Sequence, residues 1–212
     1  VLQRPEEFKP NFHNMFRKAM EGLEEDQYYQ FDLTQPMGLG TRVAKTYVTR
    51  CLVGKPGITY KYLGLRMFAY PWTAGEKGAT ANTVQIGNLN NTLSKHTKSL
   101  LSKSGKEVYG SCDYNLTLIN RCYPDGSVVQ LKDEPTFQNE KCTVSWHADS
   151  SLQHYSTIAV YHCTRPEGSG INSVADNDVK VDYDDKSWRI ALKQYPNAEG
   201  PLASKLKTRQ ST

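Results

Sequence analysis

The sequence predicts an α+β fold with flanking helices. Two amphipathic helical patterns lie at about residues 10–24 and 84–102, and strand-forming sequence dominates from Tyr109 onward. The 212 residues, of which 38% are hydrophobic and 23% charged, are typical of a soluble globular protein with one sizeable core. The net charge of +4 is spread along the chain, so it permits a nucleic-acid partner without indicating one.

The first helix is predicted to begin at Pro10, because proline suits the first turn of a helix. Acidic residues 24–26 oppose the helix dipole and predict its end. The apolar residues between these two signals recur at helical spacing: Phe12, Met15, Phe16, Ala19 and Leu23.

The next structured stretch is predicted to be a β-hairpin, in which residues 48–53 and 58–70 meet across a turn at residues 54–57. It carries Arg50, Tyr60 and Tyr62. Aromatic rings beside a guanidinium can sandwich a planar base. The alternative interpretation is that the tyrosines are core or rim aromatics and that Arg50 is a surface charge.

The second helix and the strand after it follow from their apolar patterns. Ile86, Leu89, Leu93 and Leu100 recur at helical spacing, although the helix interior is rich in asparagine. We interpret His96 on this helix as a solvent-exposed residue rather than a ligand. Residues 115–120 alternate as in a strand and place Asn120 near its end.

The segment from Cys142 to Cys163 is predicted to form a strand, a turn and a second strand over Thr157–Tyr161. Residues two apart on a strand share a face, so His147 and Asp149 could converge on one point. Such a pair supplies two ligands of the 2-His-1-carboxylate triad that holds non-haem Fe(II). The alternative is a histidine paired with an aspartate at a turn. A last strand is predicted over residues 187–195.

Cysteine usage and hydropathy indicate the compartment. The five cysteines are odd in number and lack zinc-ligand or redox spacing, which indicates a reducing compartment. No apolar run reaches membrane-spanning length and no signal peptide is visible, so we expect no membrane partner.

Two groups of motifs resemble a known family. VTRCLVGKPGITYKYL and RMFAYPW fall within residues 48–72, and YNLTLIN, LKDEPTF, VSWHADSS and STIAVY fall within residues 114–161. Their order and spacing resemble the catalytic domain of the fat mass and obesity-associated protein family, a branch of the AlkB-type Fe(II)/2-oxoglutarate dioxygenases. The resemblance implies a double-stranded β-helix (jelly roll), incomplete at the C-terminus and without the family's C-terminal helical domain. Over residues 1–212 it implies a partial dioxygenase domain, with N-terminal helices and a base-reading hairpin in 1–110, jelly-roll strands in 111–195 and a tail in 196–212.

The resemblance also implies an activity and its site. It implies oxidative removal of the N6-methyl group from adenosine, and of N-methyl groups from pyrimidines, with Fe(II) as cofactor and 2-oxoglutarate as co-substrate. The partner would be single-stranded RNA or a methylated nucleotide, in the nucleus and possibly also the cytoplasm. The residues that match family positions are His147 and Asp149 for the metal, Asn120 for 2-oxoglutarate, and Arg50, Tyr60, Tyr62, Leu63, Ser145 and Trp146 for the substrate base.

The sequence departs from the family pattern near the metal ligands and at its end. Ser150 stands where vertebrate members carry an acidic residue, and Ala148 replaces a histidine. The family's distal histidine and its 2-oxoglutarate arginine have no counterpart after Gln194, and the position of His162 argues against it as a substitute. We therefore expect this chain alone to turn over poorly. The alternative function is a non-catalytic family member that binds RNA or nucleotide.

Overall fold

The computed structural model describes residues 5–34, 43–62, 65–103, 111–122 and 156–163, together with the single positions 144, 147, 152 and 190. The chain divides into two compact units, residues 1–160 and 161–212. In the second unit only residues 161–163 and 190 are described. The architecture reported below is that of the first unit.

The first unit mixes helices and strands, which confirms the predicted α+β class. In chain order its elements are a 3₁₀ turn at Pro5–Glu7, α1 at Pro10–Glu25, β1 at Gln30–Thr34, β2 at Val43–Gly54, β3 at Thr59–Tyr62, β4 at Leu65–Phe68, β5 at Tyr70–Pro71, α2 at Ala81–Lys103 and β6 at Leu116–Cys122.

Helix α1 confirms the prediction at both ends. Pro10 occupies the first turn, and the backbone N–H of Asp26 closes the last turn on the carbonyl of Gly22 at 2.9 Å. Four of the five predicted apolar residues are buried, and Met15 is exposed. The buried four form the stripe that faces the core: Phe12, Phe16, Ala19 and Leu23.

Helix α2 confirms the second prediction but begins three residues earlier than residue 84. A reciprocal capping pair explains the early start. The Thr80 N–H donates to Thr83 Oγ1 at 2.9 Å, and the Thr83 N–H donates to Thr80 Oγ1 at 3.3 Å. His96 on this helix is half-buried and stacks against Phe8 with ring centroids 4.6 Å apart. The expectation of a solvent-exposed His96 is therefore wrong, because Phe8 covers its ring.

The two helices pack closely. A Cβ atom on Gly22 would lie 2.3 Å from the Asn82 side-chain amide, so any larger residue would displace that amide. The Asp26 carboxylate, just beyond α1, accepts hydrogen bonds from Thr80 Oγ1 at 2.9 Å and Asn82 Nδ2 at 3.0 Å. Leu23 is fully buried in the core, as is Ile86 on α2. Apolar burial and one shared carboxylate therefore join the helices.

Strand β2 is the centre of the four-stranded sheet. It pairs antiparallel with β1 and β6 and parallel with β5. The β2–β6 ladder is the longest of these and runs from Val48 opposite Cys122 to Gly54 opposite Leu116. Residues 48–54 of β2 are all buried. Because consecutive strand residues point to opposite faces, both faces of β2 are covered here.

The predicted hairpin between β2 and β3 is wrong. Both strands exist, but β3 pairs with β4, from Thr59 opposite Phe68 to Tyr62 opposite Leu65. The reason is that β1, β5 and β6 already occupy the hydrogen-bonding groups of β2. Strand β3 therefore turns back across residues 63–64, which lie outside the described residues, and forms a separate two-stranded sheet with β4.

The predicted strand at Thr157–Tyr161 is also wrong. Residues 156–163 are described and belong to neither a helix nor a strand. The Thr157 N–H donates to the Ser111 carbonyl at 3.3 Å. A strand requires a series of such backbone hydrogen bonds to a neighbouring strand, and the described residues show no such series here. The strand predicted before it and the one at 187–195 lie outside the described residues, apart from single positions. The jelly roll implied by the resemblance remains a prediction.

Among the described residues, neither α-helix, α1 or α2, is long and apolar enough to span a membrane.

Candidate functional site

The β2–β6 ladder brings together two residues that the sequence analysis assigned to the site. Arg50 on β2 lies directly opposite Asn120 on β6. The Arg50 Nε–H donates a hydrogen bond to Asn120 Oδ1 at 2.7 Å. The two residues are 70 positions apart in sequence. The antiparallel pairing therefore places a guanidinium and a carboxamide, assigned to base and co-substrate respectively, in direct contact.

Arg50 is a buried residue. Only 4% of it is exposed, so the alternative interpretation of Arg50 as a surface charge is wrong. A guanidinium is costly to remove from water unless hydrogen-bond acceptors replace its hydration. The short bond to Asn120 is one such replacement, strengthened by the charge on the donor. Buried arginines of this kind are uncommon outside binding sites and ion-pair networks.

Asn120 is exposed, although the ladder continues beyond it to Cys122. Its side chain therefore contacts the buried arginine and is also accessible to a ligand in solvent. A carboxamide offers an N–H donor of the kind that a carboxylate accepts. Asn120 can therefore hydrogen-bond to a carboxylate group at this edge of β6.

The thiol of Cys51, the residue after Arg50, is unreactive at neutral pH. Burial raises the pKa of Cys51 to about 12, so the thiol is protonated at neutral pH. A protonated buried thiol is a poor nucleophile and a poor metal ligand. Near Cys51, Tyr28 stacks on Tyr70 with ring centroids 3.9 Å apart. Desolvation raises the pKa of both phenols, and the Asp26 carboxylate raises that of Tyr28 further, so both stay neutral as well.

The predicted base-stacking tyrosines lie on the β3–β4 sheet. Tyr60 is half-buried and pairs with Met67, while Tyr62 pairs with Leu65. Arg66 on β4 donates to Thr59 Oγ1 at 3.3 Å. Phe68 at the end of β4 is 71% exposed. The hairpin thus carries aromatic and cationic side chains together, which suits contact with a nucleic-acid base and backbone.

The predicted metal ligands remain largely predictions. His147 is described and exposed, whereas Asp149 lies outside the described residues. Leu63, Ser145 and Trp146 lie outside them as well. Within the described ranges, no three histidine, cysteine, aspartate or glutamate side chains gather where they could hold a metal ion. The His147–Asp149 pair was outside this comparison, because Asp149 lies outside the described ranges.

Sequence reasoning missed a cavity beside the helix pair. It measures about 210 Å³ and contains none of the predicted site residues. The buried Nε2 of Gln85 finds no hydrogen-bond partner among the described residues. The cavity is lined by Lys9, Asn11, Phe12, Met15, Gln85, Asn88, Leu89 and Thr92. No sequence motif marks it, because its lining residues come from two segments far apart in the sequence.

Comparison with known proteins places the chain in a family. Residues 1–210 match the family described as the FTO catalytic domain, and the chain belongs to this family. A relative, the alpha-ketoglutarate-dependent dioxygenase FTO of Xenopus laevis, is 32% identical over 194 residues. That match covers 74% of this chain and 37% of the relative, so the chain spans well under half of the relative's length. The resemblance found in the sequence motifs is confirmed.

Proposed function

We propose that the protein is an Fe(II)- and 2-oxoglutarate-dependent dioxygenase that removes N-methyl groups from bases in single-stranded RNA. N6-methyladenosine is the main substrate, and N-methyl pyrimidines are further ones. Family membership over residues 1–210 supports the class of enzyme, as does the dioxygenase name of the Xenopus relative. The observation that carries the proposal is the contact between Arg50 and Asn120, which joins a candidate base reader to a candidate co-substrate ligand.

The donor set suits the cofactor. An imidazole and a carboxylate, from His147 and Asp149, are ligand types that non-haem Fe(II) accepts. His147 is exposed, so a metal ion can reach it. Iron with bound 2-oxoglutarate and O₂ supplies the oxidation of the N-methyl carbon, which leaves as formaldehyde.

The chain's own residues bind and orient the two organic reactants. Asn120 donates from its amide to a carboxylate of 2-oxoglutarate. Arg50 hydrogen-bonds the edge of the base, and Tyr60 and Tyr62 stack on its face. A base can reach such a site only when it is out of a helical stack, which is why single-stranded RNA is the better substrate.

The test is turnover by the purified protein with Fe(II), 2-oxoglutarate and a short RNA that carries one N6-methyladenosine. Formaldehyde and succinate should form slowly and in equal amounts, and a matched RNA with 3-methyluridine should react more slowly still. His147→Ala should abolish product formation, because the metal loses a ligand. RNA binding without product would favour the non-catalytic alternative, while neither binding nor product would refute the proposal.

A matched control separates loss of metal from loss of fold. His13 lies on α1, far in sequence from the predicted ligands. His13→Ala removes an imidazole of the same type and should leave product formation unchanged. If both histidine variants lost activity equally, the assignment of His147 to the metal would be wrong.

A further inference from the structure

We propose that Arg50 is a positioning residue for the co-substrate as well as a contact for the base. Its guanidinium fixes the side-chain amide of Asn120 in the one orientation that presents an N–H donor to the carboxylate of 2-oxoglutarate. This inference rests on the proposed function and adds to it a positioning role for Arg50.

The backbone makes the contact a rigid one. Arg50 and Asn120 are direct partners in the β2–β6 ladder, with further paired residues on both sides of them. On its other side, β2 places Arg50 opposite Gln30 of β1. Arg50 is therefore held in a strand with neighbours on both edges, and its side chain is 4% exposed. A side chain so enclosed has few other rotamers, and it brings the same N–H group to Asn120 each time.

The chemistry of the two groups decides which way the amide faces. An arginine side chain has only donors, whereas an asparagine side chain has an oxygen that accepts and a nitrogen that donates. With Arg50 Nε 2.7 Å from the amide, the oxygen must be the atom that faces the guanidinium. In the flipped orientation, the amide N–H groups of Asn120 would face the N–H groups of Arg50, and no hydrogen bond would form. The Nδ2 group of Asn120 is therefore turned away from Arg50, and Asn120 is an exposed residue.

The test is a double-mutant cycle read by co-substrate binding. The variants are Arg50→Met, Asn120→Ala and the double mutant, and the readout is the Kd of 2-oxoglutarate measured by calorimetry with Mn²⁺ in place of iron. Methionine keeps the length and suits a buried site, but it cannot donate. Arg50→Met should weaken 2-oxoglutarate binding about tenfold in the parent background and less than about twofold in the Asn120→Ala background. Equal weakening in both backgrounds, or none in either, would overturn the inference.

Arg121→Met is the matched control. Arg121 is the next residue on β6, pairs with Thr49 and forms an ion pair with Glu24. Its replacement removes a cation from the same ladder without touching Asn120, so the Kd of 2-oxoglutarate should stay unchanged. A shift as large as that of Arg50→Met would mean that loosening of the sheet causes the effect, and the inference would fail.

Two further measurements keep the inference separate from folding and from the proposed function. If Arg50→Met does not fold, Arg50→Leu, which also suits a buried site and cannot donate, takes its place in the cycle, with the same non-additive pattern expected. If the unmodified protein with Mn²⁺ binds no 2-oxoglutarate, the proposed function fails and this inference falls with it. Binding by the parent with additive losses in the cycle overturns the inference alone.

Discussion

The helix pair α1–α2 and the strand pair β2–β6 are both buried, yet they are joined by different interactions. The helices meet through apolar side chains such as Leu23 and Ile86 and through a close contact between Gly22 and the Asn82 side chain. The strands meet through a backbone ladder that carries Arg50 and Asn120. This contrast indicates that the helix pair supplies stability, while the strand pair supplies the site. Substitutions in the two regions should therefore separate folding from binding.

The largest expected effect is on the helix side. Leu23 is fully buried, so Leu23→Ala leaves a cavity where α1 packs into the core. The free energy of unfolding should fall by about 2–5 kcal/mol, measured by urea denaturation. The Kd of 2-oxoglutarate for the folded protein should not change. Met15→Ala on the same helix is the control, because Met15 is 36% exposed and should cost much less. A changed Kd of 2-oxoglutarate in Leu23→Ala would show that the helix pair also affects the site.

A second effect belongs to the strand side and depends on pH. Burial raises the pKa of Cys51 from 9.0 to about 12. The folded protein therefore keeps a proton that the unfolded chain releases above pH 9. Stability is unaffected below that pH and falls as pH rises toward 12, by up to about 1.4 kcal/mol per pH unit. Cys51→Val should remove this part of the pH dependence in urea titrations at pH 8, 9 and 10. Identical slopes for both proteins would show that Cys51 does not contribute.

One residue connects the two regions. Asn90 on α2 is 5% exposed, donates to the Tyr114 carbonyl at 3.0 Å and accepts from Thr117 Oγ1 at 3.2 Å. It therefore attaches the helix to the beginning of β6, the strand that ends near Asn120. The asparagines that weakened the prediction of α2 include this one, which explains why a poor helix former lies in the helix. Tertiary hydrogen bonds outweigh its low propensity.

Sequence reasoning reached the local features and missed the non-local ones. The bounds of α1 were predictable because proline, apolar spacing and acidic residues all act within a few residues of each other. The pairing of β3 was predicted wrongly, because its partner depends on which strands already flank β2. The contact between Arg50 and Asn120 was not predictable from either segment, since 70 residues and the whole of α2 separate them. Their roles come from the family resemblance, whereas their contact is seen only in the β2–β6 pairing.

The smallest expected effect tests how far the helix side can be weakened without reaching the site. Thr80→Ala removes the hydroxyl that accepts from the Thr83 N–H and donates to Asp26. Loss of an N-cap threonine costs about 0.5–2 kcal/mol, so the urea midpoint should drop while 2-oxoglutarate binding stays constant. Thr92→Ala is the matched control, because Thr92 is exposed and bonds only one turn back, to the Asn88 carbonyl at 3.1 Å. Equal losses from both threonines would mean that the cap that joins α1 to α2 is not what sets the stability of this region, because alanine is a better helix former than threonine and propensity alone would not lower stability.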